Sequence, residues 1–400
     1  MILRVRRSIL NDDPMFARLL KPSLALGLGL ILALGADQII ARLLPPPARA
    51  DGPWYLQAVQ YHPILGWSGY PNFVGMRDGR PVRTNSLGYR DREPVEADDE
   101  KKPGVLFLGD SFTWADEVAL EDRFTSILEA SCGSQCDRLP AIRAINRGVI
   151  GYGTAQSLLD YVLVPEKRPF RAVILALYTG NDLTDNAMVD SSSGPRPRLI
   201  RCDRENASDG LCLEGVPVPP VIDWPEHRLI SPRGWASRTF GWSGLVSAAS
   251  ERRAPRFLID KRIADQSDGL LKAVPFPIVE RQSNDPIEDQ LGQLEAILRA
   301  LDRTVRAGGR AFGVMVFPSA RVYDGTAAGE LRNYREILQV LDRLHSSVVD
   351  YYEQTKGFRM DDLYFGSEGH WRPSGHQEAA KLLRPLLVRL TIEGNQGDPP

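Results

Sequence analysis

The sequence predicts a three-layer α/β/α domain built on a central parallel sheet and carried behind an N-terminal membrane anchor. Three observations predict it. Short apolar runs such as 104–108 and 311–317 have the composition of strands buried on both faces. Stretches with apolar residues at helical spacing separate those runs. Strand–helix alternation of this kind folds with right-handed crossovers into a doubly wound sheet.

Taken in order, residues 1–21 are a cytoplasmic N-terminus carrying Arg4, Arg6, Arg7, Arg18 and Lys21. Residues 22–44 are an apolar stretch broken by Asp37 and Gln38, near the roughly 20 residues that cross a bilayer. The basic flank stays in the cytoplasm and places everything after Arg42 outside, which predicts a single-pass inner-membrane protein with a periplasmic main domain. The rival reading is a cleaved signal peptide ending at Ala48-Arg49-Ala50, and both readings export the rest. A linker over 45–60 opens with Pro45-Pro46-Pro47, and an N-terminal extension occupies 61–103.

The core is expected over 104–186 and 286–392. Its strands are read at 104–108, 144–146, 172–177 and 311–317, with a further one at Leu363-Tyr364-Phe365. Its helices are read near 120–130, 154–162, 287–306, 329–344 and 375–390; Leu291, Leu294, Ile297, Leu298 and Leu301 mark the apolar face of the third. Between them, 187–285 is rich in proline and arginine with little sustained periodicity, and reads as an insertion or lid.

Composition narrows the function. With 43% hydrophobic and 25% charged residues and a formal net charge of −2, the chain has no field that recruits nucleic acid. Zinc-type Cys/His spacing, a phosphate loop and a dinucleotide fingerprint are missing from the sequence, so no cofactor or metal is expected. The four cysteines fall in two close pairs, Cys132/Cys136 and Cys202/Cys212. In an oxidising compartment each pair can close a local loop, although three connectivities are open.

Chemistry concentrates at the strand ends. Gly109-Asp110-Ser111 follows the first core strand, where open α/β sheets place their ligands and where backbone N–H groups can face a developing oxyanion. Alone, that tripeptide reads as an ordinary turn with a serine cap. Asn146-Arg147-Gly148-Val149-Ile150-Gly151 follows the second strand, Gly180-Asn181-Asp182 follows the third, and Glu368-Gly369-His370-Trp371 precedes the last helix. A serine hydroxyl needs a nearby base to act as a nucleophile at neutral pH, and a histidine such as His370 supplies one.

These four blocks together resemble the GDSL/SGNH hydrolase superfamily, in particular its membrane-anchored bacterial members and the alginate-type O-acetyltransferases. The resemblance covers about 61–390 apart from the insertion, and implies a flavodoxin-like α/β fold. It implies Ser111 as nucleophile, His370 as base, and an oxyanion hole made by the backbone N–H groups of Ser111 and Gly151 and the side-chain amide of Asn181.

The acid departs from the family pattern, in which an aspartate lies three or two residues before the histidine. Here those positions hold Ser367 and Glu368. Glu368 is expected to orient His370, because residues i and i+2 of an extended segment share a face; Asp361 and Asp362 are the alternatives. Asp110, Asp182 and His376 read as turn-shaping, capping or packing residues, and 84–90 as scaffold. The expected function is an exported ester hydrolase acting on acylated carbohydrate or a small acylated substrate. An O-acyltransferase paired with a membrane-embedded acyl donor, and a silent binding module, are the alternatives.

Overall fold

A computed structural model describes residues 58–94, 102–131, 142–191, 194–204, 207–219, 261–280, 285–366 and 369–393. The expected transmembrane segment over 22–44 lies outside them, and no helix among the described residues is long and apolar enough to cross a membrane.

The chain opens with two antiparallel hairpins, β1 (Val59–His62) with β2 (Gly66–Gly69) and β3 (Val74–Arg77) with β4 (Arg80–Arg83). The core then runs β5 (Gly104–Gly109), α1 (Ser111–Trp114), α2 (Phe124–Ser131), β6 (Arg143–Asn146), α3 (Thr154–Leu163), β7 (Phe170–Tyr178) and α4 (Asp182–Ala187). The insertion follows with β8 (Asp190–Ser191), β9 (Gly194–Pro195), β10 (Arg198–Arg201), β11 (Leu211–Glu214), α5 (Lys261–Ala273) and β12 (Ile278–Val279). The core resumes with α6 (Gln290–Ala307), β13 (Ala311–Phe317), α7 (Ala320–Tyr323), α8 (Ala328–Arg343) and β14 (Ser347–Asp350). It ends with α9 (Tyr351–Thr355), α10 (Met360–Leu363) and α11 (Pro373–Glu393).

The central sheet has the order β14-β13-β7-β5-β6, and all its pairings are parallel. Counting only its own strands in chain order, this is 2-1-3-4-5 read from the other edge, the doubly wound flavodoxin-like order. Side chains alternate between two apolar layers. Leu106, Leu108, Val173, Leu175, Val314 and Val316 join the layer that includes residues of α3, α6 and α8. Val105, Phe107, Ile174, Ala176, Met315 and Phe317 join the layer that includes residues of α2 and α11. Burying a Val, Leu, Ile, Phe or Met side chain contributes about 1.5–3 kcal/mol, so both faces of every long strand stabilise the sheet.

Three features depart from the sequence reading, and one expected cysteine pair is formed. The edge strand β14 was not anticipated, because its four residues, Ser347-Val348-Val349-Asp350, are too short and too polar at the ends to show a period. The expected strand 363–365 is instead the end of α10 followed by a single antiparallel bridge between Tyr364 and Trp371. Inside the insertion, which showed no sustained period, β10 and β11 pair antiparallel, and the expected Cys202/Cys212 pair forms a disulfide from the residue just after β10 to β11. Cys132 and Cys136 lie outside the described residues.

Candidate active site

In a sheet ordered this way, the crevice for ligands opens where the strand order reverses, at the carboxyl ends of β5 and β7. Ser111 follows β5 directly and opens α1, so its backbone N–H has no acceptor within that helix. Gly151 lies in the turn after β6, the neighbour of β5 on one side, in a left-handed conformation at φ 72° that favours glycine. Asn181 follows β7, the neighbour on the other side, as the N-cap of α4. Its side chain makes no capping bond, and its amide oxygen is buried without a partner. The three stations expected of an oxyanion hole thus stand at the ends of three adjacent strands.

The turn around Ser111 is held from several sides. Asp110 caps α1 by accepting the Phe112 N–H at 2.9 Å. Asn146 donates to the Thr113 carbonyl at 2.7 Å and accepts the Gly148 N–H at 3.0 Å, tying the first two blocks together. Arg90 donates to the carbonyls of Trp114, Ala115 and Val118 at 3.0, 2.8 and 2.7 Å. The expectation that 84–90 is scaffold agrees with that clamp. Asp182 accepts the Tyr178 N–H at 3.0 Å and acts as a turn former. His376 is buried beside the Phe124 ring and accepts the Phe124 N–H at 3.4 Å; burial pushes its pKa down to about 3.

His370 comes from the far end of the sequence. Its Nε2 lies 2.7 Å from Ser111 Oγ, and its ring packs on Phe112 with centroids 4.6 Å apart. A tight turn delivers it. Gly369 donates to the Gly366 carbonyl at 3.2 Å, and Phe365 donates to the His370 carbonyl at 2.9 Å. A Cβ on Gly369 would meet the Phe365 carbonyl oxygen at 2.0 Å, so only glycine fits this reversal.

The carboxylate against His370 comes from another part of the chain. Glu368, the acid expected from the sequence, lies outside the described residues. The place expected for it, against Nδ1 of His370, is taken by Glu117, whose Oε1 is 2.7 Å away. Asp362 instead accepts the Arg359 N–H at 3.2 Å, at the start of α10.

Glu117 reaches the site because α1 stops after one turn. Ala115 adopts a left-handed conformation at φ 57° and sends the chain back beneath His370. Glu117 stands far from His370 in the sequence, outside the two or three residues before the histidine where the family pattern places an acid. The available signal was Asp116-Glu117, two adjacent acids just after the nucleophile block in an otherwise apolar run.

The electrostatics suit a charged orienting group. Burial pushes the Glu117 carboxyl up, but the charge and contact of His370 and the Arg77 guanidinium together hold it well below the usual carboxylate range. Burial depresses His370, yet Glu117 outweighs it and the imidazole pKa is raised. Asp110 is pushed up to about 7 by burial, and Asp182 is raised by burial and by Asp110.

No family model and no curated protein matches the chain. Among solved structures it is similar to a member of the lipolytic protein G-D-S-L family from Veillonella parvula, at 12% identity and a TM-score of 0.34, covering 72% of this chain and 99% of that one. An acetylxylan esterase from Geobacillus stearothermophilus is similar at 13% identity and 0.36, covering 71% and 94%. A lipase/acylhydrolase from Enterococcus faecalis is similar at 10% identity and 0.37, covering 72% and 96%.

Proposed function

We propose that this chain is a serine ester hydrolase of the GDSL/SGNH type, acting through Ser111, His370 and Glu117. The observation that carries the reading is one continuous line of contacts at the sheet's switch point, Ser111 Oγ to His370 Nε2 at 2.7 Å and His370 Nδ1 to Glu117 Oε1 at 2.7 Å. Nucleophile, base and orienting carboxylate in that order are the working parts of acyl transfer through a serine.

The steps follow from the contacts. Ser111 Oγ attacks the ester carbonyl as His370 Nε2 takes its proton, and the carbonyl π electrons move onto oxygen. The Ser111 and Gly151 N–H groups and the Asn181 amide stabilise that oxyanion. The imidazolium, steadied by Glu117, gives its proton to the departing alkoxide and leaves an acyl-serine. Water then attacks the acyl-serine, with His370 as base again, and releases the carboxylic acid and free Ser111.

The substrate class we propose is acylated carbohydrate, with the enzyme exported and tethered through 22–44. The basic N-terminal flank supports export, as does the Cys202–Cys212 disulfide, a bond that persists in oxidising compartments. The test is to incubate the full chain with p-nitrophenyl acetate and with an acetylated oligosaccharide, each with and without a sugar acceptor. Release of acetate that depends on Ser111 supports the reading. Acyl transfer to the sugar that exceeds hydrolysis replaces it with an O-acyltransferase. A reporter active only in the cytoplasm, fused after Arg42, stays silent if the export proposal is right.

A further inference from the structure

The carboxylates beneath His370 are tied to the hairpin β3–β4, which takes no part in the steps above. Arg77 closes β3 just before a tight turn in which Asp78 and Gly79 are both left-handed, at φ 48° and 77°. Along β3, Val74 and Met76 are exposed, whereas the Arg77 side chain is only 20% exposed. Its Nη1 donates to Asp116 Oδ1 at 2.5 Å and lies 2.7 Å from Glu117 Oε1. The adjacent Arg80 donates to the Glu117 backbone carbonyl. One guanidinium nitrogen therefore touches two neighbouring carboxyls, and the hairpin also holds the backbone that carries them.

Two adjacent buried carboxyls resist ionising together, because each charge opposes the other and neither is well hydrated. Asp116 is 1% exposed and Glu117 10% exposed at the side chain. A cation in contact with both favours a single negative charge on the pair. The third partner decides where that charge sits, since Glu117 Oε1 meets His370 Nδ1. Asp116 is pushed well above its usual range by burial and by Glu117, in keeping with that division.

We propose that Arg77 is a positioning residue for the ester-cleaving reaction, holding the Asp116–Glu117 pair so that Glu117 stands as a carboxylate against His370 Nδ1. The proposal rests on the Ser111–His370–Glu117 reading. It makes β3–β4 part of the active site rather than a surface decoration.

The other charged groups near this cluster act on it from farther than contact or face solvent. Arg90 hydrogen-bonds the carbonyls of the 114–118 loop and adds positive charge near Asp116 and Glu117 without touching either carboxyl, and Arg123 pairs with Asp91. Asp78 meets Arg77 at 3.6 Å but is 85% exposed, so solvent screens it. Asp110 and Asp116 add negative charge near His370, Glu121 adds it near Arg90, and burial keeps His376 neutral. Among the described residues, Arg77 is the cation in ion-pair contact with the Glu117 carboxylate apart from His370 itself.

The test compares Arg77→Met, Arg77→Lys and Ser111→Ala with wild type, as purified full chains hydrolysing p-nitrophenyl acetate across pH, with Tm measured alongside. Arg77→Met should lower kcat at neutral pH by about tenfold or more with KM nearly unchanged, because only the charged transition state loses support. Its acidic limb should also move to higher pH, since removing a nearby cation makes protonated His370 easier to form and so raises its pKa. Arg77→Lys keeps the charge and should restore the limb and much of kcat. Wild-type kcat and an unmoved limb in Arg77→Met overturn the proposal. So do Met and Lys variants that are equally slow with unmoved limbs, which would make Arg77 a packing residue. If Arg77→Met does not fold, Arg77→Gln takes its place with the same two outcomes. Should Ser111→Ala hydrolyse as fast as wild type, the underlying triad fails instead, and the two failures are told apart.

Discussion

Replacing Glu117 with Gln leaves shape and burial nearly unchanged and removes the charge facing His370. In the wild type, Glu117 Oε1 sits 2.7 Å from His370 Nδ1. At that separation two unit charges attract by about 6 kcal/mol in an effective dielectric of about 20. Two features discount the figure. The His370 side chain is 29% exposed, and Asp116 keeps a second carboxyl on the same Arg77 nitrogen. A third to a half of the attraction, about 2–3 kcal/mol, corresponds to a fall in kcat of about 30- to 150-fold. KM should stay near its wild-type value, because neutral His370 in the ground state needs the charge far less than the imidazolium does. Glu117→Asp should recover part of the rate, since it keeps the charge but shortens the reach. The assay is the initial rate of p-nitrophenyl acetate hydrolysis at saturating substrate and neutral pH. The reasoning fails if Glu117→Gln stays within about threefold of wild type, under 1 kcal/mol, while Glu368→Gln loses its activity.

Further outcomes follow from the same geometry. Asn181→Ala should lower kcat by about 100- to 1000-fold, the usual cost of one oxyanion donor, with Tm little changed; equal loss in KM alone would remove Asn181 from the hole. The acidic limb of kcat/KM should lie above the ordinary histidine value of about 6.5, because Glu117 raises His370 and only neutral His370 can accept the Ser111 proton. Activity then falls as pH drops through that raised pKa, and a limb well below it would contradict the ion pair. Replacing Cys202 and Cys212 together with serine should cost about 2–3 kcal/mol of stability, given the sequence separation of 10, and leave kcat nearly untouched; this is checked by denaturant unfolding and steady-state rates.

Much of the fold was legible because long buried strands announce themselves. The runs at 104–108, 172–177 and 311–317 are apolar without interruption, and each forms a strand of the parallel sheet. Edge and hairpin strands were not legible. β14 is four residues long, and β1 to β4 are four each, too short for a period to emerge. At the site, Ser111, Gly151 and Asn181 were legible through the resemblance of the four blocks taken together, and the topology then brings the strand ends that carry them side by side. Glu117 was not, because its placement depends on one left-handed residue, Ala115, that reverses the chain after a single helical turn. Nor could a local rule locate Arg77, which is 40 residues before Glu117 and meets it only through the docking of a hairpin.

The central claim is that Ser111 is a nucleophile activated by His370. Its most direct test is to treat the full chain with a serine-directed fluorophosphonate and map the adduct by peptide mass spectrometry. The account predicts one adduct, on Ser111, formed quickly in wild type, much more slowly in His370→Ala, and not at all in Ser111→Ala. Labelling at another serine, or equal labelling of wild type and Ser111→Ala, would contradict it.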